Sequence, residues 1–97
     1  MFLEKYLNPM YMHLLKENYT DKYLLSLDEA HFNEIYEILE MFGFDYLEDI
    51  IVRYLEIFEL DSKEVIAHIL RLKNKLGIDY IDKIGDNLDL FKEEFGG

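Results

Sequence analysis

Apolar residues recur along this 97-residue chain at spacings of three and four, which place side chains on one face of an α-helix. The pattern predicts three central helices, over roughly 27–42, 46–59 and 62–76. Their apolar faces consist of Ile35, Ile38 and Phe42 in the first helix, Leu47, Ile50, Ile51, Tyr54 and Phe58 in the second, and Val65, Ile69, Leu72 and Leu76 in the third. Strand signals are absent, so the sequence predicts an all-α fold.

The same spacing continues toward both ends of the chain. The apolar positions are Leu3, Leu7, Met10 and Leu14 near the amino end, and Ile84, Leu88, Phe91 and Phe95 near the carboxyl end. Five to six short helices are therefore expected in total.

Capping residues mark the boundaries of the central helices. Ser26, Asp45 and Asp61 each stand three positions before an acidic residue, which is the pattern of a helix N-terminus. Gly43 and Gly77 stand where a helix would end with left-handed backbone. We predict that the central helices begin at the first three residues and that helices end at the two glycines.

A short internal repeat indicates how the helices are arranged. Residues 43–50 and 77–84 share Gly, Asp, Tyr and Ile at an offset of 34 positions. Because the glycine ends one helix and the aspartate begins the next, the repeat predicts successive helical hairpins with an amino-terminal helix packed across them. Tetratricopeptide repeats share this period, but their Trp, Leu-Gly and Pro landmarks are missing. We expect a compact bundle that forms one domain over residues 1–97.

Composition narrows the class of protein. With 51% hydrophobic residues the chain has enough apolar side chain to fold, which argues against a disordered acidic tail. The absence of cysteine excludes disulfides, thiolate metal sites and cysteine nucleophiles, and it is typical of a reducing compartment. No signal-peptide pattern is present, and no window approaches the ~20 apolar residues of a membrane span. We expect a soluble, cytoplasmic protein.

Charge is distributed very unevenly along the chain. Residues 28–61 contribute ten of the net eleven negative charges, because eleven acidic residues stand there with Arg53 as the one base. The acids are Asp28, Glu29, Glu34, Glu37, Glu40, Asp45, Glu48, Asp49, Glu56, Glu59 and Asp61. Such a field attracts a basic partner and repels the phosphate backbone of nucleic acid. It predicts a protein that binds a basic protein and does not bind nucleic acid or a membrane.

Catalytic and cofactor signals are weak. His31 and His68 each share a helix face with a carboxylate, which is at most half of a metal site. Ser26 and Ser62 are accounted for by helix starts, and the five glycines form no phosphate-binding loop. We predict a protein that is not an enzyme and needs no metal or cofactor.

The acidic stretch holds the candidate binding residues. The helical period places Tyr36 opposite the apolar face of its helix and Tyr46 on the outer side of the next, so both are predicted to be exposed among carboxylates. A tyrosine ring supplies rigid apolar contact, and the carboxylates supply attraction for Lys and Arg. The predicted partner-binding residues are Tyr36, Glu37, Glu40, Tyr46, Asp49 and Glu56. The alternative for this patch is a solvated acidic face.

In size, charge and predicted helicity, with an acidic tyrosine-bearing helix pair, the chain resembles the small immunity proteins that neutralise bacterial nuclease toxins of the colicin and contact-dependent-inhibition types. The Tyr-Tyr-Pro stretch of the helical DNase-colicin immunities is missing, so no site residue is transferred from the family. The resemblance implies a cytoplasmic inhibitor whose acidic face binds a basic toxin domain and blocks its active site or substrate path.

Two other functions fit the same sequence. A phage-encoded mimic of nucleic acid, such as some anti-CRISPR proteins, would use carboxylates spaced like phosphates against a host nuclease. A helical adaptor or scaffold protein would instead bind through an apolar surface, and its acidity would be incidental.

Overall fold

The computed structural model describes residues 1–96, which form seven α-helices and no strand. In chain order the elements are a 3-10 turn Phe2–Lys5, α1 Pro9–Asn18, α2 Asp21–Leu25, α3 Glu29–Phe42, α4 Leu47–Arg53, a 3-10 turn Leu55–Glu59, α5 Ser62–Leu76, α6 Tyr80–Asp86 and α7 Asp89–Gly96. The predicted all-α bundle is confirmed. The helices are shorter and more numerous than the five to six expected.

Two of the three predicted helix starts differ in the structure. Asp61 does precede α5, and its carboxylate accepts a hydrogen bond of 2.8 Å from the Lys63 amide. Tyr46 takes the cap position of α4 that was predicted for Asp45. The displacement is one residue, and the Tyr46 side chain makes no capping hydrogen bond.

The predicted capping box at Ser26 is wrong. Asp28 caps α3, and its Oδ1 accepts from the His31 amide at 3.2 Å. Ser26 instead ends the short helix α2, where its hydroxyl donates to the Tyr23 carbonyl at 2.6 Å. Both Ser and Asp are good capping residues, so the presence of α2 immediately upstream decides which of them begins α3.

Both predicted helix ends are confirmed. Gly43 and Gly77 follow α3 and α5 with φ angles of 100° and 98°. This region of backbone space carries a steric cost for residues with a Cβ atom, which explains glycine at both positions.

The predicted helix over 46–59 is interrupted. The α-helix ends at Arg53, Tyr54 has φ −135° and ψ 48°, and the chain continues as the 3-10 turn. The predicted apolar face is nevertheless buried on both sides of Tyr54, at Ile50 and Ile51 before it and at Phe58 after it.

The amino-terminal face also differs from the prediction. Met12 and Leu15 are buried in α1, whereas Met10 is 63% exposed and Leu14 is also exposed. A new helix begins at Pro9, capped by Asn8, so the spacing counted from Leu3 does not continue across it.

A single cluster of buried apolar side chains forms the core. The rings of Phe32 in α3 and Phe58 in the second 3-10 turn stack at 4.5 Å between centroids. Helix α1 packs on α4, α3 packs on the second turn and on α5, and α7 packs on α5 and α6. Burial of each such large side chain contributes about 2 kcal/mol to folding. This packing holds α3, α4 and the second turn, which carry the acidic stretch, against one another.

Candidate protein-binding surface

The acidic stretch of residues 28–61, which we call the acidic surface, comprises α3, α4, the turn Leu55–Glu59 and the residues that flank them. Ten of its eleven acidic residues are exposed, and Asp49 is half-buried. Within residues 1–96, Lys5 is the one lysine or arginine that pairs with this surface, through a contact of 2.9 Å to Glu29. Its negative field is therefore largely uncompensated by the protein's own bases.

Tyrosines from residues 1–27, which we call the amino-terminal segment, donate hydrogen bonds to several of these carboxylates. The hydroxyl of Tyr19 donates to Glu56 Oε2 at 2.7 Å, and the hydroxyl of Tyr23 donates to Glu59. The two tyrosine rings stack at 5.5 Å between centroids. A phenol is a neutral donor, so these bonds orient the carboxylates without cancelling their charge.

The phenols keep their protons over the whole neutral range. Burial raises the pKa of Tyr19 and Tyr23, and the hydrogen bonds to Glu56 and Glu59 raise it further. A third tyrosine of the segment, Tyr11, donates to Asp49 at 3.4 Å. The Asp49 charge raises the pKa of Tyr11 more than burial does.

Tyr36 is half-buried, so the prediction that it is exposed is wrong. Its ring lies 4.7 Å from that of Tyr6 and 6.4 Å from that of Phe32, between centroids. Burial raises the pKa of Tyr36, and the charges of Glu40 and Glu48 add to the shift. Of the eight tyrosine hydroxyls, that of Tyr36 alone has no hydrogen-bond partner within residues 1–96.

Tyr46, the residue before α4, packs against α6. Its hydroxyl donates to the Ile81 carbonyl at 2.7 Å, and a Cβ atom on Gly85 would stand 2.9 Å from its ring. Burial raises the pKa of Tyr46, followed by the charges of Asp45 and Asp82. The prediction that Tyr46 lies free on the outer side is wrong, because the helical period of α4 does not reveal that α6 covers this face.

The remaining predicted residues stay on the acidic surface. Glu37 and Glu40 are exposed on α3, and Glu37 accepts a hydrogen bond of 3.2 Å from Asn33. Asp49 and Glu56 lie where tyrosines of the amino-terminal segment contact α4 and the second turn. The charges of Glu40 and Glu48 both act on Tyr36, and Glu48 is not among the residues predicted from the sequence.

Sequence reasoning also missed the tyrosines of the amino-terminal segment. Four of the eight tyrosines, at positions 6, 11, 19 and 23, lie in residues 1–27, whose net charge is zero. Buried phenols need acceptors, and the acceptors this chain has in excess are the carboxylates of residues 28–61. That excess was a signal for the pairing, although it does not specify which tyrosine meets which acid.

His31 and His68 contact a backbone carbonyl and a glutamate outside residues 28–61. His31 Nε2 donates to the Leu60 carbonyl at 2.6 Å, and His68 Nδ1 lies 2.8 Å from Glu94 Oε2. Arg71 Nε donates to the same Glu94 oxygen at 3.1 Å. Within residues 1–96, no group of three or more His, Asp or Glu side chains is arranged to hold a metal ion.

The molecule is thus an all-α protein with a strongly acidic surface. No protein family, characterised protein or solved structure gives a significant match to this chain. Among the helices of residues 1–96, none combines the length and the apolar character needed to cross a membrane.

Proposed function

We propose that this protein is an inhibitor of the immunity type, which binds and neutralises a basic nuclease toxin domain through the acidic surface. Tyr36 is its central contact, the charges of Glu40 and Glu48 act on it, and Glu37 is the next residue of α3. The charge excess of the acidic surface steers a basic partner toward it and raises the association rate.

The observation that carries this proposal is the state of the Tyr36 side chain. Its ring is supported by Tyr6 and Phe32, so little conformational entropy remains to be lost on binding. Its hydroxyl has no partner within residues 1–96 and lies in the field of Glu40 and Glu48. A rigid, half-buried tyrosine beside carboxylates is the type of residue that dominates binding energy at protein interfaces.

A basic protein suits this surface better than a nucleic acid or an anionic membrane does. Nucleic acids and anionic membranes are repelled by a net charge of −11. A nuclease domain, in contrast, carries a basic groove for its own substrate, and the acidic surface is complementary to such a groove. Covering that groove would block the substrate path.

The test measures binding of the purified protein to a basic nuclease toxin domain, sought first in the reading frames next to its gene, by surface plasmon resonance at two salt concentrations. We expect Tyr36→Ala to cost about 2 kcal/mol of binding free energy, or about 30-fold in Kd. Glu40→Lys should mainly lower the association rate and flatten its salt dependence. Glu93→Lys is the matched control, because it makes the same charge change on an exposed residue of α7.

The proposal fails if Tyr36→Ala and Glu40→Lys bind like the unmodified protein, or if the control weakens binding as much as Glu40→Lys. Circular dichroism of each variant checks that the fold is retained. Co-expression provides a second readout, since the protein should rescue growth of cells that produce the toxin domain.

An adaptor function is favoured by one separate observation. Met41 and Ile78 are 86% and 94% exposed, although both are large apolar side chains. Binding of a partner through these two side chains would be unaffected by Glu40→Lys. It would be lost when Met41→Gln and Ile78→Gln are combined. The two functions therefore predict opposite sensitivities in the same binding assay.

A further inference from the structure

The interruption at Tyr54 has no cause in the local sequence. Residues 46–59 contain neither proline nor glycine, and their apolar spacing fits one continuous helix. Val52 is the exception, because it lies off the apolar stripe of such a helix and is nevertheless buried. Contacts from elsewhere in the chain must therefore stabilise the interrupted form.

The interruption changes a defined set of backbone hydrogen bonds. In a continuous helix each amide donates to the carbonyl four residues earlier, so Leu55 would donate to Ile51 and Ile57 would donate to Arg53. In the structure the Tyr54 amide still donates to Ile50, at 2.7 Å. The Ile57 amide instead donates to the Tyr54 carbonyl at 3.1 Å.

Asn18 and Tyr19, at the end of α1, bind the backbone groups that this change releases. Asn18 Nδ2 donates to the Val52 carbonyl at 3.2 Å. The Leu55 amide donates to the Tyr19 hydroxyl, also at 3.2 Å. The same hydroxyl lies 3.3 Å from the Arg53 carbonyl. Two adjacent side chains thus replace bonds of the missing helical turn.

The Tyr19 hydroxyl also connects the interruption to the acidic surface. It has one proton, and Glu56 Oε2 at 2.7 Å is a closer and charged acceptor than the Arg53 carbonyl. If a basic group of a partner pairs with Glu56, the proton is free to move to the Arg53 carbonyl. Occupancy of Glu56 and the state of the backbone at Arg53 are thereby linked.

We propose that residues 47–59 are a two-state element, interrupted at Tyr54 while Asn18 and Tyr19 bind its backbone and continuous when they do not. The continuous helix regains its own backbone hydrogen bonds but exposes Val52, so these two effects oppose each other. The change would rotate Glu56 and Glu59 relative to Asp49, and it would reshape the acidic surface. This inference concerns the isolated protein and holds whichever partner the acidic surface binds.

The test compares backbone NMR spectra of the full chain with and without the two side-chain contacts. In Asn18→Ala combined with Tyr19→Phe, we expect the Cα chemical shifts of residues 53–55 to move to helical values. Sequential amide NOEs should then run without interruption through 47–59. Either single variant gives a second opportunity to observe the change if the double variant does not fold.

Tyr23→Phe is the matched control. In the unmodified protein Tyr23 stacks on Tyr19, and its hydroxyl bonds to Glu59 and to no backbone group near Tyr54. The variant therefore loses one hydrogen bond to a carboxylate and no contact with the interruption. Its spectra should keep the interrupted pattern. The proposal is overturned if the Asn18 and Tyr19 variants fold and also keep that pattern, because burial of Val52 would then be sufficient to hold the interruption. It is equally overturned if Tyr23→Phe gives the continuous helix.

Discussion

The hydroxyl of Tyr46 donates a hydrogen bond of 2.7 Å to the backbone carbonyl of Ile81, which joins the two copies of the repeated sequence. The equivalent tyrosine of the second copy, Tyr80, reaches back to the Phe42 carbonyl at 3.5 Å. The repeat therefore forms a contact between its own copies, in which the residue before α4 packs on α6. At one of the positions where the copies differ in sequence, Phe44 is buried, whereas its counterpart Ile78 is exposed.

Gly85→Ala should destabilise the protein, although alanine is the better helix former. A Cβ atom at position 85 would lie 2.9 Å from the Tyr46 ring, and that ring is held in place by its hydrogen bond to Ile81. We expect a loss of about 1–3 kcal/mol in urea denaturation. The loss should shrink when Tyr46→Ala is also present, as a double-mutant cycle would show. An unchanged loss in that background would contradict the predicted contact.

Glu94→Gln should lower stability at neutral pH much more than at pH 3. Burial by itself would raise the pKa of Glu94, which is 10% exposed, but the hydrogen bonds from His68 and Arg71 outweigh it and lower the pKa. A lowered pKa means that the contribution to stability is present above the ordinary pKa of 4.5 and is lost as pH falls through the lower folded value. We expect the variant to lose about 2 kcal/mol of unfolding free energy at pH 7. Chemical denaturation at pH 7 and at pH 3 measures the loss. The neighbouring exposed change Glu93→Gln should have little effect at either pH.

Stability should also fall in alkaline solution, because several tyrosines have a higher pKa in the folded state than in the unfolded state. Burial raises the pKa of Tyr46 above its ordinary value of 10.0, and the charge of Asp45 adds to the shift. The folded state then holds a proton that the unfolded state has lost, so the contribution is complete below pH 10 and declines as pH rises above it. Tyr46→Phe should therefore show a shallower decline between pH 10 and pH 11 than the unmodified protein. An equally steep decline would indicate that Tyr46 ionises normally in the folded state.

Tyr36→Phe should separate the two parts of the proposed contact at the acidic surface. The variant keeps the ring, which packs on Tyr6 and Phe32, and removes the hydroxyl that has no partner within residues 1–96. Stability should be almost unchanged, whereas binding to the basic partner should weaken by about 1 kcal/mol if the partner bonds to this hydroxyl. Thermal denaturation and surface plasmon resonance measure the two effects. Equal binding of Tyr36→Phe and the unmodified protein would limit the role of Tyr36 to its ring.

The sequence by itself determined the features that depend on neighbouring residues. Asp61 caps α5, and Gly43 and Gly77 end α3 and α5, because a cap or a left-handed residue acts on the adjacent turn of helix. The apolar spacing likewise determined that Ile35 and Ile69 are buried. The charge of residues 28–61 is also a property of sequence alone, and it gave the location of the candidate surface.

The tertiary structure decided which faces remain open and where a helix is interrupted. Tyr46 was predicted on the outer side of a helix over 46–59, yet it packs against α6, and the periodicity of one helix carries no information about another. The backbone around the interruption at Tyr54 hydrogen-bonds to Asn18 and Tyr19, which lie 34 or more positions away in the chain. His68 likewise meets Glu94 across 26 positions, although Glu64 stands four residues before it. Such contacts follow from how helices pack, and local spacing does not determine them.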